Sequence, residues 1–275
     1  MGFLHSSHPR GRIPNSLKAA ADVRFVGHEG QGDGVTLLHF AVPSFSSAAA
    51  DLFRQPRLWD DGPKPDETAF ELFGAALQDV VGRRKDSDAF DRGLLRRIGS
   101  YRRLLKQGVD RIGMPDTLEP RRGRIDTGVV DAASDLVAAT PDSRRVRVVG
   151  RLDVMGVSQG VLKVEVLPNA FVTAVWEGEA AVHAFKHLLN QDVVVEGLGV
   201  FRPSGTLLRV DADAVVPASS RDDFFRQVPA APVVRDYQKL ARLRPGEPSV
   251  YAKLRGFIPA EESDEEFQAA LDELR

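Results

Sequence analysis

Apolar and polar positions alternate along the second half of this chain and recur at helical spacing along the first. Val146–Val154 reads as a strand, and Val161–Leu167 sets Lys163 and Glu165 between apolar residues with period two. Phe171–Trp176 is a third strand. Glu179–Leu189 places Val182, Phe185, Leu188 and Leu189 on one side of a helix. Val193–Phe201 and Thr206–Val215 are two further strands. They are joined by Arg202-Pro203-Ser204-Gly205, where Pro203 presets φ for a turn and Gly205 tolerates its exit, so the pair forms a β-hairpin. Three strands, a helix and two strands is the order of an OB-type barrel. A ferredoxin-like or open α+β sheet is the competing arrangement.

In the first half, Val23–Val26 and Val35–Val42 read as strands around Gly30-Gln31-Gly32-Asp33-Gly34. No Lys-Ser/Thr pair and no helix follow these glycines, so a hairpin turn is expected rather than a phosphate loop. A helix opens at Thr68 with Glu71 completing a capping box, and Phe70, Phe73, Leu77 and Val80 follow at helical spacing. A second starts near Asp88, with Asp86, Asp88 and Asp91 serving its dipole and cap. It carries Phe90, Leu94, Ile98, Tyr101 and Leu105 on one face and ends at Gly108. An antiparallel helix pair packed on a small sheet is expected. Pro115–Gly123 reads as a linker and Gly128–Ala139 as a short helix.

The expected fold class is therefore α+β. A flexible N-terminus (1–20) leads into a small mixed α/β domain with the helix pair (21–115). A linker and short helix (116–145) connect it to the OB-like five-stranded β-barrel (146–230). One helical turn over Arg221–Val228 and an extended C-terminal arm (231–275) ending in a short helix complete the chain.

With 275 residues the chain suits about two domains. It has no run of ~18 apolar residues, so no membrane span is expected, and no secretory signal is read at its start. It contains no cysteine, which excludes disulfides, thiolate metal sites and cysteine nucleophiles; a cytoplasmic location fits. The formal net charge of −2 hides an asymmetry. Residues 83–124 hold thirteen Lys/Arg against six Asp/Glu, and residues 256–275 hold seven Asp/Glu against one Arg. Such runs serve charged partners, or each other, or are solvated surface.

Candidate chemistry is sparse. His183 and His187 are four apart, but no Cys exists and no Glu lies between them, so half-buried helix histidines are expected and no metal site. No Gly-x-Ser-x-Gly or Ser-x-x-Lys occurs, so no catalytic residue is assigned. Asp60-Asp61 and Asp211/Asp213 are two carboxylate pairs; the second could bind a cation but reads as the polar outer face of a strand. No cofactor is expected. Nucleic-acid binding has a candidate in Arg96, Arg97, Arg102, Arg103 and Lys106 on the second helix, with Arg121–Arg124 beyond it. The barrel stretch 146–215 holds only six Lys/Arg against eight Asp/Glu, and Phe171, Trp176 and Phe201 are its possible stacking aromatics.

The arm closes with Ser263-Asp264-Glu265-Glu266, a capping box, and with Phe267, Leu271 and Leu274 at i, i+4 and i+7. A helix this short is marginal alone and needs a surface, either this chain's own helix pair or a partner. Leu254-Arg255-Gly256-Phe257-Ile258-Pro259-Ala260-Glu261-Glu262-Ser263-Asp264-Glu265-Glu266-Phe267 resembles the C-terminal arm of antitoxins that wrap around PIN-domain ribonuclease toxins. Val200–Val216 is similar to part of bacterial proteins associated with such toxins. The resemblance implies that Lys253 or Arg255 would pair with the acidic metal site of a PIN-domain nuclease, and that Phe257, Phe267, Leu271 and Leu274 would dock. The function expected is a non-enzymatic protein-binding regulator that uses its arm. The alternative is a nucleic-acid-binding regulator that uses helix 92–106 and the barrel.

Overall fold

The structure, a computed structural model, describes residues 15–50, 63–113, 123–156, 160–176 and 185–231. Helix α1 (Asn15–Ala20) is followed by strands β1 (Arg24–Gly32) and β2 (Val35–Ala41). The two pair antiparallel as a ribbon. Its turn runs through Gly32, Asp33 and Gly34 at φ values of 78°, 50° and 75°. That backbone is what makes the glycine-rich stretch a hairpin turn rather than a phosphate loop.

After α2 (Phe45–Ala48) comes α3 (Ala69–Val81). The Thr68–Glu71 capping box forms as the spacing predicts. The next helix, α4 (Arg92–Ser100), starts later than near Asp88, because the Asp91 side chain accepts from the Leu94 amide and sets the cap there. Phe90 thus precedes the helix and is buried. Tyr101 keeps helical dihedrals (φ −64°, ψ −15°), so the chain winds on into α5 (Arg102–Leu105). Short strands β3 (Ile112–Gly113) and β4 (Arg124–Ile125) pair, and α6 (Thr127–Ala139) follows under an Asp126 cap.

The helices do not form a pair lying on a sheet. Both α3 and α4 pack on α6. Leu77 and Val80 of α3, Leu95 and Ile98 of α4, and Val130, Ala133 and Leu136 of α6 share one core with Phe90 and Ile125. The small sheet expected beneath them is the exposed β1–β2 ribbon, which touches α3 through the Phe40–Phe70 edge contact. The reason lies in α6: it buries Val129, Val130, Ala132, Ala133, Leu136 and Ala139, a broad apolar face that takes both helices.

The second half is a closed five-stranded barrel of β5 (Arg144–Gly156), β6 (Val161–Leu167), β7 (Ala170–Trp176), β8 (Asp192–Phe201) and β9 (Leu207–Pro217). Its order is β5-β6-β7-β9-β8, closing back onto β5. Every pair is antiparallel except β7–β9. The α+β class and the barrel are thus as the pattern predicts. Val148, Leu152, Leu162, Val164, Val172, Val195, Phe201 and Val210 fill the interior. Gly197 permits the closest crossing: a Cβ there would stand 2.2 Å from the Asp211 carbonyl oxygen. The β8–β9 turn closes through Gly205 (φ 89°), whose amide donates to the Arg202 carbonyl at 2.9 Å.

Of the helix expected over Glu179–Leu189, the described part is a 3-10 turn at Lys186–Leu188. His187 on it is exposed rather than half-buried, and His183 lies outside the described residues. The turn expected within Arg221–Val228 is present at Asp223–Phe225.

Candidate functional site

The described residues bring the chain's chemistry together where the loop before α4 meets the β8–β9 hairpin. Arg209 and Asp211 stand two apart on β9 and share its outer face. Arg209 is only 1% exposed, and Asp91, the α4 cap, is 0% exposed. The guanidinium nitrogens of Arg209 lie 3.4 Å from Asp91 Oδ2, and its Nε donates to Asp211 Oδ1 at 2.8 Å. Asp211 is therefore no simple polar outer residue: it half-neutralises a buried cation, and its Oδ2 is buried without a hydrogen bond. Beside this cluster, Arg202 Nε donates to Asp88 Oδ1 at 2.7 Å. The Ser204 amide donates to the Lys85 carbonyl at 3.3 Å, and Thr206 Oγ1 donates to Asp86 Oδ1 at 3.3 Å. Asp86 and Asp88, expected to serve the helix dipole, instead hold the barrel's hairpin.

Next to that clamp the barrel parts. The β7–β9 pairing covers only Ala174–Trp176 and Val210–Ala212. Below it the strands diverge around a recess of about 530 Å³. Phe171, Val172 and Thr173 line one side, and Thr206, Leu207 and Leu208 the other. A register shift between Val200/Arg209 and Phe201/Leu207 places Leu208, which lines the recess, at a bulge. Phe171 is 45% exposed at its mouth. Asp88, Asp153, Lys163 and Arg202 form a charge-balanced rim. Ala170–Thr173 pair with β6 on one side and have no strand on the other among the described residues.

The barrel's arginines are already engaged. Arg145 bonds Asp213 at 2.8 Å, Arg151 bonds Glu165 at 2.7 Å, and Arg147 bonds Glu196. Arg144 donates to the Ala230 carbonyl and lies over the Phe201 ring. Of the three candidate stacking aromatics, Phe201 is buried and Trp176 packs edge-on against Phe185, which leaves Phe171 open. A face so paired does not offer a track of cations to phosphates.

The Arg-rich helix divides in two. Arg102 turns inward, donating to Asp131 Oδ1 at 2.7 Å and to Ser134 Oγ at 3.3 Å. Arg96, Arg97, Arg103 and Lys106 are exposed. Arg124 is bound by Asp126, while Arg121 and Arg122 lie outside the described residues. Outside them too are Lys253, Arg255, Phe257, Phe267, Leu271 and Leu274 of the arm, and Asp60-Asp61. Among the described residues no three His, Asp or Glu side chains gather as metal ligands. Neither the recess nor the buried Arg209 was read from the sequence. The short Thr206–Val215 alternation carries a faint signal, since Arg209 breaks an apolar run that needs its neighbour covered. No family model, no curated protein and no solved structure matches the chain.

Proposed function

We propose that the chain is a non-enzymatic, protein-binding regulator whose barrel, of OB type, holds an extended polypeptide segment where β7 and β9 part. The observation that carries this reading is the recess itself: a strand edge at Ala170–Thr173 that no strand covers among the described residues, beside an exposed aromatic and a charge-balanced rim. An open strand edge supplies a ladder of amide donors and acceptors at the spacing of a peptide backbone, and side pockets then select residues. The strand order, with one parallel pair between the third and fifth barrel strands, supports the OB assignment. The engaged arginines of the barrel weigh against phosphate at this place. A volume of about 530 Å³ suits two or three side chains.

The test is selection of peptides from a random displayed library, followed by titration calorimetry on the full chain. Selected peptides should lose at least tenfold in affinity with Phe171→Ala. N-methylation of alternate peptide bonds should abolish binding even where a side-chain scan of the same positions does not. If Phe171→Ala and backbone methylation both leave affinity intact, the recess is not a peptide site. An oligonucleotide that competes for the recess would likewise refute the reading.

A further inference from the structure

A second surface lies away from the barrel, on α4 and α5. The backbone is helical from Arg92 through Leu105, and Arg96, Arg97, Arg103 and Lys106 stand exposed along it. Their side chains have neither a hydrogen bond nor an ion pair among the described residues. Several neighbouring cations are engaged instead: Arg83 with Asp135, Arg84 with Asp79, Arg92 with Asp142, Arg102 with Asp131. Of the α6 carboxylates, Asp131 meets Arg102 and Asp135 meets Arg83, and neither meets Arg96, Arg97, Arg103 or Lys106. Arg96 lies close enough to Arg92 to help lower its pKa, after the larger effect of burial, so the cations repel one another there. Over ten residues, Arg96 to Lys106 span roughly 15 Å of helix axis. Exposed cations held along one helix, with no counter-charge among the described residues, suit a polyanion.

The apolar side of the helix decides between polyanions. A helix that lies on a membrane keeps its apolar face free for the lipid. Here Leu95 and Ile98 are fully buried, and Leu94, Tyr101 and Leu105 pack on the same core. Leu104, 42% exposed, is the large apolar side chain left on the surface. One exposed leucine is too little apolar surface to anchor the helix in a bilayer, whereas phosphodiester recognition needs only the outward cations. We infer that the outer face of α4–α5 binds the phosphodiester backbone of a nucleic acid through Arg96, Arg97, Arg103 and Lys106. This site is separate from the barrel recess and does not depend on it.

Fluorescence anisotropy with a labelled random-sequence 20-base-pair duplex and a 20-nucleotide single strand tests it. Four phosphate contacts give a slope of log K against log salt of about −3.6 for duplex and about −2.8 for single strand. Affinity should then fall roughly 50- to 150-fold between 50 and 200 mM salt. Arg103→Ala alone should flatten the duplex slope by about 0.9, and Arg103→Lys should restore it. The combined Arg96→Ala, Arg97→Ala, Arg103→Ala and Lys106→Ala variant should lose binding. A charge-matched variant with Lys18, Lys64, Lys186 and Arg221 changed to Ala should keep most of it. All eight side chains are exposed, so far-UV circular dichroism should show both variants folded. Equal losses in the two variants, an unchanged slope in the first, or binding to phosphatidylserine vesicles without binding to either oligonucleotide would each overturn the inference.

Discussion

Arg209 is the buried ionic link between the two halves of the described chain. It stands on a barrel strand, yet its charge is met by the cap of a helix 118 residues earlier. Asp91 serves two masters: Oδ1 accepts from the Leu94 amide at 2.9 Å and Oδ2 faces the guanidinium. Removing the arginine leaves a fully buried carboxylate and a second, Asp211, without their cation. Breaking a buried pair in this way costs about 3–5 kcal/mol. Arg209→Ala should lower unfolding free energy by about that amount in urea titration. Arg209→Lys should recover only part of it, because an ammonium lacks the planar fork that meets two carboxylates at once. A loss under about 1 kcal/mol for Arg209→Ala would place the pair in the surface class, where such interactions contribute little. Beyond the break that Arg209 makes in an apolar run, the sequence does not announce the pair. In an alternating strand an arginine reads as solvent-facing, and only the fold brings Asp91 to it.

At the scale of elements, local signals were the readable ones. Thr68 with Glu71, Pro203 with Gly205, and the period-two run at Val161–Leu167 each work through neighbours four or fewer positions apart, and each produces the element it announces. The position of α6 at the centre of the helical core was not readable. Its alanines read as an unremarkable short helix, and their meaning appears only when α3 and α4 both pack on it. The parting of β7 from β9 is hidden for the same reason, since strand order is a non-local property. The start of α6 also carries a titratable support. Arg124's hydrogen bond is the largest cause of the lowered Asp126 pKa, followed by that of the Val129 amide. A carboxylate held below its usual range stabilises the fold fully above the unfolded value, about 3.9, and loses that contribution as pH falls through the folded value. Amide exchange at Val129 and Val130 should therefore quicken as pH drops below about 4, relative to intrinsic rates. Asp126→Asn should remove this acid limb while keeping a side-chain cap. Exchange that follows the intrinsic rate through pH 3 in the native chain would contradict the role given to Asp126.

Over the whole molecule, charge is divided rather than balanced. The seven carboxylates and one arginine of residues 256–275 carry −6, so the rest of a chain with net charge −2 carries +4. A nucleic acid approaching the α4–α5 face meets a field summed over the molecule's charges, each weakened by distance and by salt. Ending the chain after Arg255 removes only the acidic segment. Oligonucleotide affinity at 50 mM salt should then rise by roughly tenfold, mainly through a faster association rate. The gain should shrink at 0.5 M salt, where the Debye length falls to about 4 Å. Peptide binding at the recess, which depends on a strand edge and a charge-balanced rim, should stay within about twofold of the full chain. Stopped-flow anisotropy with the labelled duplex and calorimetry with a selected peptide separate the two effects. If truncation slows association of the duplex, residues 256–275 contribute contacts rather than repulsion, and the electrostatic account of the acidic segment fails. If truncation instead weakens only the peptide, the docking expected of Phe267, Leu271 and Leu274 belongs to the same event as the barrel recess, and the recess is not sufficient on its own.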